Sequence, residues 1–204
     1  MLYELVTYNL RPGGVARFEE RFAETLPQRA KFSTLGASWH TEIGPLNQIV
    51  QVWPYRDLGE RTSVQAAARR ELVWPAPVQE FILGVESELL QPAPFMRPLE
   101  ARALGPVYEM RTYTYLPGTL PEVLAAWGQA IAEREKYSPL AACWHTEGAN
   151  PERFIHVWPY KDLVARERTR QEAIKGGVWP PKARNFPIRQ ENKVLLPAAF
   201  SPLR

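Results

Sequence analysis

One cysteine, Cys143, and three histidines are all that 204 residues offer to thiol or imidazole chemistry. A single thiol excludes an intrachain disulfide. Its counterpart in the repeat described below is Ser38, which marks it as a small packing residue rather than a nucleophile. No local cluster of His, Cys and Asp supplies a metal set, so no metal is expected. An iron porphyrin would need an axial ligand such as His40, His145 or His156, and nothing in the sequence singles one out. No cofactor is therefore expected. The chain also lacks a Gly-rich phosphate loop, a nucleophile elbow, a metalloprotease motif and an RNA-stacking motif. That removes nucleotide hydrolysis and the best-known acyl-transfer routes. No apolar run approaches the ~20 residues of a membrane span. Glu4 and Asn9 break the start of the chain, which reads as lacking a signal peptide, so a soluble cytoplasmic protein with no membrane partner is expected. A dominant charge sign is missing too. Lys plus Arg number 25 against 22 Asp plus Glu, a net +3. That balance argues against a nucleic-acid partner. The densest basic stretch, Arg166 to Lys175, carries Glu167 and Glu172 and reads as a solvated helix face.

What the chain does have is itself, twice. An offset of 105 residues carries Tyr3-Glu4 onto Tyr108-Glu109 and Pro12-Gly13 onto Pro117-Gly118. The same offset carries Trp39-His40-Thr41-Glu42 onto Trp144-His145-Thr146-Glu147, and Trp53-Pro54-Tyr55 onto Trp158-Pro159-Tyr160. It also carries Trp74-Pro75 onto Trp179-Pro180, and Pro92-Ala93 with Phe95 onto Pro197-Ala198 with Phe200. No gap is needed, so two copies of one supersecondary unit fill the chain. The division expected is 1–97 and 98–204.

Within each copy the pattern is strand, helix, strand, strand, helix, strand. Leu2 to Leu10 is rich in β-formers and ends at Pro12-Gly13-Gly14. Val15, Phe18, Phe22 and Leu26 then recur at helical spacing, as do Leu120, Val123, Trp127 and Ile131. Pro27 should kink or shorten the first of these helices. Gly36 to Ile43 and Gln48 to Tyr55 form a hairpin, matched by Ala141 to Glu147 and Arg153 to Tyr160. Asp57 and Asp162 are placed to cap a second helix, which should end before Trp74-Pro75 and Trp179-Pro180. A last strand is expected near Glu86 to Gln91 and near Glu191 to Leu196. Pro92 to Pro106 reads as an ordered, irregular linker. The order is that of the ferredoxin-like βαββαβ unit. Such a unit covers one sheet face with helices, and two copies can cover each other's free faces by packing sheet on sheet as a barrel.

The segments Tyr3-Glu4-Leu5, Thr7-Tyr8 and Pro12-Gly13, with the run from Trp39 through Tyr55, resemble the NIPSNAP family. In the second copy the stretch from Tyr108 to Gly118, the Trp144-His145-Thr146-Glu147 run and the stretch from His156 to Leu163 carry the same resemblance. It covers nearly the whole chain and implies an α+β fold of the dimeric α/β-barrel superfamily. That superfamily looks like a home for cofactor-independent monooxygenases, haem-degrading proteins, isomerases and proteins without known activity. For the family itself the resemblance implies no settled reaction, and its animal members look like mitochondrial and vesicle-associated interaction proteins. The second copy departs from the pattern at the turn Gly148-Ala149-Asn150-Pro151.

Strand alternation assigns faces to the candidate residues. Tyr3 and Leu5 should meet the helices, as should Val50 and Val52. That aims Glu4, Tyr8, Gln51 and Trp53 at the space between the sheets, and with them Glu109, Arg111, Tyr113, His156 and Trp158. Glu109 and His156 are the candidate acid–base pair, and Arg111 would hold an anion. Glu4, Tyr8, Trp53, Tyr113 and Trp158 would line the binding space. Against this, Glu109 and Arg111 stand two apart on one strand and can simply pair with each other. His40 with Glu42, and His145 with Glu147, are read as sheet-surface pairs, and the tryptophans as packing residues first. Two functional readings follow. One is a protein binding a small molecule in the inter-sheet cavity, with cofactor-independent oxygenation or acid–base chemistry as its activity. The alternative is a non-enzymatic interaction or structural protein with a side-chain-filled interior. The tandem copies could satisfy each other in a monomer, and a homodimer through free sheet edges is equally open.

Overall fold

The computed structural model describes residues 1–71, 77–146, 151–177, 179–182 and 187–204. The first copy supplies β1 (Leu2–Leu10), α1 (Val15–Arg29), β2 (Ala37–Ile43), β3 (Gln48–Tyr55), α2 (Leu58–Arg70), a short 3₁₀ turn (Gln79–Phe81) and β4 (Ile82–Pro92). The second supplies β5 (Val107–Tyr115), α3 (Leu120–Glu135), β6 (Ala142–His145), β7 (Glu152–Tyr160), α4 (Leu163–Lys175) and β8 (Arg189–Pro197). This is the expected α+β order of two tandem ferredoxin-like units. In the first, β1 pairs antiparallel with both β3 and β4, and β3 with β2. In the second, β5 pairs with β7 and β8, and β7 with β6.

The compact units divide the chain differently from the copies in sequence. Unit 1 comprises Met1–Leu90, Glu100–Arg102 and Leu196–Arg204; unit 2 comprises Gln91–Leu99 and Ala103–Leu195. In unit 1 the Ala198 amide donates to the Ser38 carbonyl at 3.0 Å, and Phe200 stacks on Phe22 with centroids 5.6 Å apart. In unit 2 the Ala93 amide donates to the Cys143 carbonyl at 3.0 Å, and Phe95 packs against the core. The start of the expected linker is therefore core-forming: Ala93 is buried because its backbone extends a sheet and needs a partner.

Local chemistry accounts for the helices. Asp57 accepts the Glu60 amide at 2.8 Å, and Asp162 accepts the Ala165 amide at 2.6 Å, so both expected caps form. Pro27 does not shorten α1 as expected. It lies in the last turn, where its missing donor costs one bond, and the Ala30 amide still reaches the Leu26 carbonyl at 2.8 Å. The two helices of each unit differ in what they bury. α1 sinks Phe18 and Phe22 into the sheet, and α3 sinks Val123, Trp127 and Ile131. α2 buries only Ala68 and α4 only Ala173. The layer beneath α2 and α4 is thus short of apolar bulk, and long polar side chains enter it. The basic run of α4 is only partly the solvated face its composition suggested. Arg166 and Arg170 turn inwards, with side chains 20% and 30% exposed, because one helical turn separates them on the sheet-facing side.

Candidate functional site

The face assignment from alternation is reversed in the structure. Tyr8 packs on Phe18 of α1 at 5.1 Å, and Trp53 on Phe22 at 6.4 Å. His156 packs on Trp127 of α3 at 4.6 Å. Glu4, Val6, Tyr8, Ile49, Gln51 and Trp53 therefore share the helix-facing side, through the register Glu4↔Trp53, Val6↔Gln51 and Tyr8↔Ile49. Tyr3, Leu5, Val50 and Val52 lie on the other side, as the pleat requires. The physical reason is that both sides are dry. Tyr3 and Leu5 are as buried as Tyr8 and Trp53. Without a wet side, alternation has nothing to report.

The predicted residues of unit 1 do meet in one place, on that helix side. Glu4, Tyr8 and Trp53 line a cavity of about 450 Å³ together with Arg29, Arg61, Gln65 and Arg69. Val6, Ile82 and Val85 give it apolar wall. The Glu4 carboxylate accepts from Arg61 Nη2 at 2.5 Å, Gln65 Nε2 at 3.1 Å and Ser87 Oγ at 2.6 Å. Burial pushes its carboxyl up, but the Arg61 and Ser87 hydrogen bonds and the Arg61 charge outweigh burial. It is held below the usual carboxylate range and stays ionised. Arg29 comes from the end of α1. It lies over the Trp53 ring at 4.6 Å and donates to Ser33 at 2.6 Å and to Tyr55 at 3.3 Å. Burial raises the Tyr8 hydroxyl well above its ordinary value, so it stays protonated. Arg69 has no ion pair among the described residues, and its charge is open to the cavity.

Unit 2 repeats the frame and changes its charge. Glu109 Oε1 accepts from Arg166 at 2.5 Å, Arg111 at 3.0 Å and Asn192 at 3.1 Å, while Arg170 lies 3.6 Å from Oε2. Burial raises this carboxyl, and the three guanidiniums lower it further than burial raises it. Arg134 lies over Trp158 at 4.2 Å and donates to Ser138 at 2.9 Å and to Tyr160 at 3.5 Å, matching Arg29. His156 is buried beside Tyr113, ring centroids 4.9 Å apart. Its Nδ1 accepts from Trp158 Nε1 at 2.7 Å. Burial, then the charges of Arg111, Arg170 and Arg134, hold its pKa well below the ordinary histidine value, so the imidazole is neutral with its proton on Nε2. Among the described residues no hydrogen bond joins Glu109 to His156. The acid–base candidates share a layer but are engaged by different partners. Trp179 packs on Trp127 at 4.5 Å and Trp158 at 5.8 Å, the packing role expected of the Trp-Pro loops. Trp74-Pro75, Glu147 and the turn through Asn150 lie outside the described residues.

Elsewhere His40 does not pair with Glu42 as expected. Its Nδ1 meets Glu19 of α1 at 2.8 Å, because the ring turns to the helix rather than along the strand. Sequence reasoning missed Arg29, Arg61, Arg134 and Arg166. The signal was available, since the 105-residue offset carries Arg29 onto Arg134 and Arg61 onto Arg166. Among the described residues, no group of three or more His, Cys, Asp and Glu could hold a metal ion, and no helix is long and apolar enough to cross a membrane.

Comparison with known proteins agrees with the duplication. The NIPSNAP family model matches twice, over residues 3–97 and 108–202, and the chain belongs to that family. It is 28% identical to Protein NipSnap of Drosophila melanogaster, over 99% of this chain and 78% of that one. It is 27% identical to human Protein NipSnap homolog 3A, over 100% of this chain and 86% of that one. Among solved structures, an anthrone oxidase-like protein aligns with a TM-score of 0.57 at 12% identity, covering 96% of this chain and 90% of that one. A protein from Lactobacillus acidophilus aligns with a TM-score of 0.65 at 11% identity, covering 96% and 92%. At such identities the likeness bears on the fold alone, which is of the dimeric α/β-barrel class.

Proposed function

We propose that unit 1 binds a small organic acid with an apolar or aromatic body in the cavity between its sheet and its helices. The observation that carries this reading is the cavity's charge: one carboxylate, Glu4, against Arg29, Arg61 and Arg69, in a volume of about 450 Å³. Pockets of roughly 300–1,000 Å³ with aromatic walls and a few polar groups are the usual form of a small-molecule site. Tyr8 and Trp53 supply the aromatic wall. Glu4 and Arg61 neutralise each other, which leaves Arg69 at the edge to receive the ligand's carboxylate. Its guanidinium can offer two parallel N–H donors, so a planar carboxylate suits it better than a point charge. Nothing in the cavity is poised as a proton shuttle near neutral pH, since Glu4 is held ionised and Tyr8 protonated. Binding is accordingly the activity the geometry supports best.

Oxygenation without a cofactor is the second reading. What favours it is Glu4, a carboxylate lining the cavity and held ionised, as a weak base for an acidic substrate C–H. Oxygen uptake with anthrone as substrate tests that reading, and no uptake above the Glu4→Gln background would end it.

Binding itself is tested by titrating 2-naphthoate into the protein in a calorimeter. One site per chain is expected, with affinity at least about tenfold weaker in Arg69→Gln. An unchanged affinity in that variant would sink the proposal. Native mass spectrometry of freshly purified protein adds an independent measure. A small acid that leaves on unfolding supports the reading, and a bare polypeptide mass favours the non-enzymatic interaction protein.

A further inference from the structure

The layer beneath α4 holds more positive charge than its own acids can balance. Arg111, Arg134, Arg166 and Arg170 have side chains or residues at most 30% exposed. The carboxylates bonded to them are Glu109, which is fully buried, and Glu167, which is 58% exposed and 3.7 Å from Arg166. Burying guanidiniums without counter-charges is costly, so a layer of this kind favours an anion. A second observation points the same way. The Nε2–H of His156 is buried and has no hydrogen-bond partner among the described residues. A lone buried donor in a native layer is rare enough to call for an acceptor. Arg111 sits directly across the β5–β7 pair from His156, so their side chains share one face. The remaining side of Arg111 is fixed by its bond to the Tyr113 hydroxyl at 2.8 Å.

We infer that unit 2 carries an oxyanion-binding site, distinct from the unit 1 cavity, in which Arg111, Arg170 and the Nε2–H of His156 receive a phosphate or carboxylate group. The role of each follows from its partners. Arg166 is occupied by Glu109 at 2.5 Å and acts as the fixed floor. Arg170 is loosely held, 3.6 Å from Glu109, and is the most exposed of the three arginines paired with it, so it is free to turn to an incoming anion. His156 spends its acceptor Nδ1 on Trp158, so its Nε2 can only donate, which suits an acceptor oxygen. The duplication isolates the feature. Unit 1 keeps the counterparts Glu4, Arg29 and Arg61 but has Val6, Gln65 and Gln51 where unit 2 has Arg111, Arg170 and His156. Each of the three residues proposed to hold the anion is one that unit 1 lacks.

This supplies the test variants, because the fold already accepts those residues at the equivalent positions. Inorganic phosphate and acetate are titrated separately into the whole protein, followed by calorimetry, by melting temperature and by the imidazole ¹⁵N signals of His156. Wild type is expected to bind an anion in unit 2, to melt higher with it, and to show a shifted Nε2 signal. Arg111→Val with Arg170→Gln should weaken binding at least about tenfold. His156→Gln should weaken it less, since Gln also donates an N–H. The His156 Nε2 shift reads unit 2 alone, and so separates this site from the unit 1 cavity. Tighter binding of phosphate would assign a phosphoryl group, and tighter binding of acetate a carboxylate. Absence of heat, stabilisation and shift with both anions would overturn the inference. So would full affinity in the double variant. Should the double variant melt too low to titrate, Arg170→Gln alone gives the same reading.

Discussion

Glu4 and Glu109 occupy equivalent positions, and each accepts a 2.5 Å bond from the equivalent arginine of its unit's second helix, α2 or α4. Around that shared pair the two units diverge. In unit 1 the remaining donors are neutral, Gln65 and Ser87, and a cavity opens beside them. In unit 2 the donors are Arg111 and Asn192, with Arg170 near, and His156 stands where unit 1 has Gln51. The repeated elements, including the guanidinium over a tryptophan and its bonds to serine and tyrosine, are what the fold needs in this layer. The unrepeated ones are where the halves were free to specialise. A duplicated chain thus separates scaffold from site without reference to any relative.

The largest expected effect sharpens this contrast. Arg61→Ala removes the only cation paired with Glu4 among the described residues, and that side chain is 5% exposed. Breaking such a pair costs about 3–5 kcal/mol. Arg166→Ala should cost about half as much, since Arg111 and Arg170 still face Glu109. Urea denaturation of both variants measures the difference. Equal losses would mean that the extra arginines do not share the load.

Next comes the acid limb. The folded pKa of His156 is depressed, first by burial and then by the neighbouring arginines. The unfolded state therefore takes up a proton that the folded state refuses. The corresponding stability is present above the ordinary histidine value of 6.5 and is lost as pH falls below it. His156→Gln should flatten the stability profile below that value by up to about 1.4 kcal/mol per pH unit. Parallel profiles for wild type and variant would contradict a neutral buried imidazole.

A smaller effect is a control in which the halves should agree. Asp57→Ala and Asp162→Ala each remove one helix cap and should each cost about 1 kcal/mol by thermal unfolding. A large inequality would show that α2 and α4 are not equivalently anchored.

The smallest has the opposite sign to His156. The hydrogen bond from Glu19 raises the folded pKa of His40, although partial burial lowers it. Its contribution is complete below 6.5 and is lost as pH rises through the raised value. It should amount to less than about 1 kcal/mol, because both partners are partly exposed. His40→Gln should erase it. The second copy has Leu124 in the place of Glu19.

Much of this was readable from the chain. The offset of 105 residues located both copies, and Asp57 and Asp162 marked the starts of their second helices. Glu4, Tyr8 and Trp53 were picked out together and do line one cavity, but on the opposite side of the sheet from the one inferred. The inward pairing of Arg61 and Arg166 is hidden in the sequence because they sit in polar helices whose composition resembles a solvated surface. The segment after β4 reads as a linker, although Ala93 and Phe95 help to build a core.

The sequence by itself determined the duplication, the order of elements, the helix caps and the frame of Glu, Arg, Trp and Tyr that recurs in both halves. These are local or periodic signals, written in residue type and spacing. Only the tertiary structure decided which face of each sheet carries the candidate residues and which arginine meets which glutamate. Alternation reports burial only when one side of a strand is wet, and β1 and β3 are dry on both. The Glu4–Arg61 and Glu109–Arg166 pairs join residues 57 positions apart, through the packing of a helix on a sheet. No local pattern encodes that meeting.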